Sequence, residues 1–454
     1  MIERIEHDSL GDIAVPANSY WGAVTERAFE HFQISNETMP KEIIRALVLI
    51  KREAAFVNCE LGLLDSIKAE AIIKAANQII IERKNDNDFP LKVWQTGSGT
   101  QTNMNVNEVI ANICKLDLGV DVHPNDDVNM GQSTNDTFSS AIHIAARTVL
   151  EHNLKKILLE LSDEFTKIEE KYGDIIKVGR THLQDATPIR FGDEVEAWRR
   201  AVSQGSKRIE VMSKRLAKLA LGGTAVGTGI NSHAEFGVRM AQRISDSIGV
   251  DFEESRNKYY QISSKDAIVA FHSSLKDLAT SLYKIANDIR WLSSGPRCGL
   301  EELIIPANEP GSSIMPGKIN PTQAEALIQC CIQVMGNDTA VSFAGASGNF
   351  ELNVCMPMIA YNVLQSLNIL AGSIQMFTKY LVRGMKPNKE KMDENLAKSL
   401  MLVTNLSPVL GYEKSAQVAK HASQNNLTIK EAVVELTELN EEEINELLNP
   451  EKMV

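Results

Sequence analysis

Apolar residues recur along this chain in alternating steps of four and three, most clearly at Phe271, Leu275, Leu278, Leu282, Ile285, Ile289 and Leu292. An average step of about 3.5 residues keeps one seam of a helix facing a partner helix along its whole length. The spacing returns at Leu150, Leu154, Ile157, Leu161, Phe165 and Ile168, and again at Val363, Leu367, Leu370, Ile374, Phe377 and Leu381. Helical patterns also cover much of Asp193 to Leu219 and the region after Pro321. Together they predict an up-and-down bundle of long helices, packed within one chain or between chains.

The flanks read differently. Before about residue 132, shorter helical patterns are broken by polar loops such as Asn85 to Pro90 and His123 to Asp126. After Met385-Lys386-Pro387-Asn388 the segments are short and charged and end in an acidic tail. The expected organisation is an N-terminal helical lobe (1–132), a central long-helix bundle (133–389) and a small C-terminal helical lobe (390–454).

Composition narrows the partners. A 454-residue chain that is 43% hydrophobic, 23% charged and 6% aromatic suits aliphatic helix packing in a soluble globular protein. Its formal charge of -12, with no basic run, disfavours nucleic acid and anionic membranes. Such a protein can grip an anion only by concentrating a few cations and helix N-termini locally. Cys59, Cys114, Cys298, Cys330, Cys331 and Cys355 show no CxxC spacing, so reduced thiols are expected. No run approaches the ~18 apolar residues that span a bilayer, and Met1 to Asp8 has no signal-peptide pattern. The expected location is the cytoplasm.

Three polar, glycine-bearing segments interrupt the helical background. Gly97-Ser98-Gly99-Thr100-Gln101-Thr102-Asn103, with Gln132-Ser133-Thr134-Asn135-Asp136 downstream, offers hydroxyls, amides and backbone N–H groups to a carboxylate or phosphate. The same residue types serve as helix N-caps. Gly179-Arg180-Thr181-His182-Leu183-Gln184-Asp185-Ala186-Thr187-Pro188 holds a histidine suited either to proton transfer or to a structural hydrogen bond. Gly311-Ser312-Ser313-Ile314-Met315-Pro316-Gly317-Lys318-Ile319-Asn320-Pro321 is a loop in which Lys318 and Asn320 could hold a carboxylate while a serine works on the bound molecule; its serines equally suit a turn. His182 has no HxxH or HExxH partner, and neither a Walker motif nor GxGxxG occurs in these loops, which disfavours metal chemistry, nucleotides and a dehydrogenase.

Taken together, in order and spacing, these segments resemble the class II fumarate hydratases of the fumarase/aspartase superfamily. The resemblance runs nearly the length of the chain and includes Leu221-Gly222-Gly223-Thr224-Ala225-Val226-Gly227-Thr228-Gly229 and Asn349-Phe350-Glu351-Leu352-Asn353-Val354. Within the superfamily, aspartate ammonia-lyases carry glutamine where this chain has His182, and usually alanine where it has Gly317. Two departures stand out. Ser133-Thr134-Asn135 has threonine where many fumarases have a second serine, and Ile189-Arg190-Phe191-Gly192-Asp193 is atypical.

The resemblance implies a mostly α, three-lobed fold whose central helices form a twenty-helix core in a homotetramer, with active sites shared among three subunits. It implies reversible anti addition of water to fumarate giving (S)-malate, the tricarboxylic acid cycle step, with no cofactor and no metal. It assigns catalysis to His182, Ser312 and Glu325. Substrate binding falls to Ser98, Gly99 and Thr100, to Ser133, Thr134 and Asn135, and to Thr181, Ser313, Lys318, Ile319 and Asn320. His123, Pro124, Asn125 and Asp126 match a second, peripheral dicarboxylate site. The alternatives are aspartate ammonia-lyase on the same scaffold and a catalytically silent structural homologue.

The chemistry demands such residues. Taking a proton from carbon beside a carboxylate leaves a carbanion that persists only as a dianionic aci-carboxylate, within a preorganised set of donors and cations.

Overall fold

The computed structural model describes residues 2–454. Helices dominate, and the sheets among the described residues are all two-stranded. The longest helices are Phe191–Ser213, Asp266–Leu292, Thr322–Ala346 and Met356–Tyr380, and Thr134–Val149 continues through a π turn at Leu150–Leu154 into Lys155–Tyr172. All the seam residues named above are buried, from Phe271 to Leu292, Leu150 to Ile168 and Val363 to Leu381. Each such side chain contributes roughly 2 kcal/mol by leaving water, so the stripes account for why these helices are long and where they pack. No helix among the described residues is long and apolar enough to cross a membrane.

The chain divides into two compact units, whose boundaries fall inside long helices. One comprises Met1–Lys156, Gly205–Ala279 and Cys331–Ala371. Within it the Lys41–Glu60 helix packs on Ser66–Ile80, Thr134–Val149 and Phe236–Ile248, and its Ile43, Leu47, Ile50 and Val57 are fully buried. Asp65 caps Ser66–Ile80 by accepting from the Ile67 and Lys68 N–H groups. Near its N-terminus Glu3–Asp8 pairs antiparallel with Gly11–Pro16, a hairpin that the helical reading of this lobe did not foresee.

The other unit comprises Ile157–Gln204, Thr280–Cys330 and Gly372–Val454. Its C-terminal helices surround a separate core built from Leu402, Leu406, Val418, Ile429, Val433 and Ile444. Capping boxes at Thr428 with Glu431 and Asn440 with Glu443 start two of them. Val178 joins this core from a second unforeseen hairpin, Ile176–Thr181 with Gln184–Arg190. Charged residues and Pro188 hide the strand alternation of that hairpin. In the Asp193 to Leu219 stretch the helix stops at Ser213, a 3-10 turn follows at Lys214–Ala217, and Lys218–Leu219 pairs as a short parallel strand with Glu253–Glu254.

Candidate active site

In the first unit, the Ser98 to Thr100 segment leads into the Thr100–Leu116 helix and Ser133 caps Thr134–Val149. Glycine is required at both ends of the first loop. A Cβ on Gly97 would lie 1.6 Å from the Val354 carbonyl oxygen, and one on Gly99, at φ 81°, would lie 2.4 Å from the Phe138 ring. The Gly97 carbonyl accepts from the Met356 N–H at 2.9 Å, tying the loop to the start of the Met356–Tyr380 helix. Ser98 and Thr100 share a hydroxyl hydrogen bond of 2.8 Å. Asn103 donates to the Thr134 hydroxyl at 3.2 Å, so the two helix N-termini are held as neighbours. N–H groups at such termini, with the Ser98 and Thr100 hydroxyls beside them, offer donors to an anion.

This loop pair is braced from inside. Asp136, fully buried, accepts from the Ser133 N–H at 2.9 Å and from the Gly222 and Thr224 N–H groups at 3.1 and 2.9 Å. Asn135 donates to the Ala225 carbonyl at 2.7 Å, joining the same glycine-rich segment. The sequence reading named Asp136 only as part of the Gln132 to Asp136 segment, without a bracing role, and passed over the fully buried Lys51 behind it. The available signal was a lysine directly after Leu47-Val48-Leu49-Ile50.

In the second unit, Thr181 faces Gln184 across the hairpin, so His182 and Leu183 alone form its turn, at φ 57° and 60°. Two left-handed residues in succession suit glycine or asparagine, and each costs roughly 1–2 kcal/mol here. Leu183 is 61% exposed and Thr181 and His182 are exposed as well. Strain and an exposed leucine beside a histidine have no packing rationale within the unit. The hairpin base is firm. Arg180 makes a two-pronged pair with the buried Glu302, and Lys177 lies 3.2 Å from the same carboxylate. Burial alone would raise the Glu302 pKa, but the Arg180 hydrogen bonds and the Lys177 charge outweigh it and hold the carboxyl below its ordinary range.

The serine loop closes on itself. The Gly311 N–H donates to the Lys318 carbonyl at 2.9 Å, and the Asn320 amide donates to the Gly311 carbonyl at 2.6 Å. Within that ring the Ser312 hydroxyl oxygen accepts from the Ile314 and Met315 N–H groups at 3.2 and 3.1 Å. These donors make a turn, and they also stabilise negative charge on that oxygen. Ser313 and Lys318 are exposed, and Ile319 is 44% exposed. Lys318, Ile319, Asn320 and Glu325 line a cavity of about 590 Å³ together with Asn287 and Arg290. Glu325 sits 3.9 Å from the Arg290 guanidinium, and no hydrogen bond or ion pair joins it to His182.

The His123 to Asp126 segment is the start of a π turn, Pro124–Val128. His123 Nδ1 lies 3.3 and 3.1 Å from the Asn125 and Asp126 N–H groups and 3.3 Å from the Asp126 carboxylate, so the ring caps the start of this turn. Asp127 accepts from the His123 N–H and pairs with Lys68 at 2.7 Å. Among the described residues there is no group of three or more histidine, cysteine or acidic side chains placed to hold a metal.

Comparison with known proteins matches this architecture. A lyase family profile covers residues 11–336, and one for the fumarase C C-terminus covers residues 402–454. A class II fumarate hydratase from Staphylococcus haemolyticus is 50% identical over 100% of this chain and 99% of its own, and one from Campylobacter jejuni is 50% identical over 99% and 98%. The crystal structure of a class II fumarase from Schistosoma mansoni superposes with a TM-score of 0.96 at 39% identity, covering 100% of this chain and 99% of that one. The chain belongs to the class II fumarate hydratase family.

Proposed function

We infer that this chain is a fumarate hydratase, adding water reversibly and anti across fumarate to give (S)-malate as the tricarboxylic acid cycle requires. In dehydration, the proton on carbon beside the carboxylate passes to the Ser312 oxygen and its electron pair spreads into that carboxylate as the aci form. The neighbouring C–O bond then breaks, and His182 gives its proton to the departing hydroxide. In hydration the same histidine, oriented by Glu325, takes a proton from the attacking water. Lys318, Asn320 and Thr181, with Ser98, Thr100 and the Ser133 to Asn135 loop, hold the substrate carboxylates. The observation that carries this reading is the pair of backbone donors on Ser312 Oγ, because a serine serves as a base only where its alkoxide is stabilised.

The working assembly is a homotetramer in which three subunits contribute to each site. Two features support it: the exposed hairpin tip at His182 and Leu183, and exposed Val211, Tyr283, Trp291, Ile332 and Phe343 on the long helices. The three-lobe organisation expected from sequence divides the chain differently from the two compact units, and the core around Leu406, Val418 and Val433, which Val178 joins, supports its C-terminal lobe. His123 to Asp126 forms a peripheral dicarboxylate site, outside the chemistry. The compartment is the cytoplasm, in keeping with cysteines spaced for no disulfide framework.

Loss of fumarate ultraviolet absorbance, with and without ammonia, tests the reaction. Ammonia-independent loss with malate as product is expected. Aspartate formed only with ammonia would make the chain an ammonia-lyase, and no loss in either arm would make it catalytically silent.

A further inference from the structure

Lys51 is fully buried on the Lys41–Glu60 helix, and its ammonium touches neither solvent nor a carboxylate. It donates to Asn129 Oδ1 at 2.7 Å and to Gln132 Oε1 at 2.9 Å. Asn129 Oδ1 also accepts from Asn103 and Asn107 at 3.2 and 3.3 Å, while Asn129 Nδ2 donates to the Gln132 carbonyl. Asn103 in turn donates to the Thr134 hydroxyl. Lys51 is therefore the hub from which hydrogen bonds reach both strands of the donor surface, the helix following Thr100 and the residues just before Ser133.

Asp136 answers from the other side, holding the Ser133, Gly222 and Thr224 N–H groups. Burial pulls the Lys51 ammonium down to about 7 and pushes the Asp136 carboxyl up to about 6, each partly offset by the other's charge. A buried cation costs several kcal/mol to desolvate. Packing alone would favour leucine or methionine at that position, flanked as it is by Leu47, Ile50, Ala54 and Ala55. A lysine kept there needs a job for its donors.

We propose that Lys51 is a positioning residue: through Asn129 and Gln132 it fixes the Ser133 to Asn135 loop against the Thr100–Leu116 helix, setting the geometry in which the substrate carboxylate is bound. This rests on the reading of Ser133 to Asn135 as substrate-binding. Lys51 touches no substrate, and its effect falls on binding more than on the proton transfers assigned to Ser312 and His182.

The test compares fumarate kinetics of the intact enzyme with those of Lys51→Met, Gln132→Met and Asn135→Ala. Lys51→Met keeps the volume and removes the donors. Its KM should rise ~10-fold or more while kcat stays within a few-fold, with native far-ultraviolet circular dichroism and assembly. Gln132→Met, which removes one acceptor at a half-buried position, should raise KM by a smaller factor, and it decides the question if Lys51→Met does not fold. A lower melting temperature with unchanged KM in both variants would reduce Lys51 to a structural role and overturn the proposal. The two readings separate through Asn135→Ala. A raised KM there with unchanged KM in the other two defeats the positioning role alone, whereas unchanged KM in all three defeats the substrate-binding reading with it.

Discussion

The guanidinium of Arg180 clasps the carboxylate of Glu302 through two hydrogen bonds, of 2.9 and 2.7 Å, directly below the strained turn that presents His182. Glu302 also accepts from Asn395 at 3.0 Å, so the hairpin is anchored to the C-terminal helices. Arg180→Met would leave a buried carboxylate with only Lys177 and Asn395 and should cost about 3–5 kcal/mol, read by chemical denaturation. Turnover should fall with it, because the hairpin base sets where His182 stands.

Gly97→Ala should be poorly tolerated, since the new Cβ would sit 1.6 Å from the Val354 oxygen. The backbone must move, at a cost of about 2–3 kcal/mol or more. Thermal melting and KM for fumarate should both worsen, and a silent substitution would mean that the loop does not hold this close approach in solution.

A second buried cluster predicts acid sensitivity. His272 lies 3.0 Å from Asp338 through Nδ1 and 2.8 Å from the Ser366 hydroxyl through Nε2, and Lys276 pairs with the other Asp338 oxygen. Burial alone would raise the Asp338 pKa, but the His272 and Lys276 contacts outweigh it and bring it from 3.8 to about 2. Because the folded value is the lower one, the stabilisation is complete above the unfolded pKa and is lost as pH falls from about 4 to about 2. It amounts to roughly 2 kcal/mol. Asp338→Asn should be less stable at neutral pH and show a flatter acid limb in stability against pH.

His182 and His123 should behave oppositely. His182→Asn should lower turnover by ~10²-fold or more with folding intact, since its ring has no hydrogen-bond partner among the described residues to lose. His123→Ala should leave turnover nearly unchanged and loosen only the local π turn that its Nδ1 caps. A loss at His123 matching that at His182 would relocate the chemistry.

The long helices were legible in the sequence because burial writes a periodic stripe, and residues such as Phe271, Leu275 and Leu278 obey it. The glycine-bearing loops were legible because their composition breaks that stripe. The two hairpins were not. Ile176 to Arg190 carries lysine, arginines and a proline where alternation would show, and its turn uses His182-Leu183 in place of glycine or asparagine. The brace behind the donor loops was hidden for another reason: Lys51 meets Gln132 from 81 residues away, a pairing that no local spacing records.

The most direct test of the account is fumarate hydration by Ser312→Ala in the assembled enzyme. With the two backbone donors left in place but no oxygen to receive the proton, turnover should fall by ~10³-fold, with unchanged circular dichroism and oligomeric state. Turnover near that of the unaltered enzyme would contradict the assignment of Ser312 as the base.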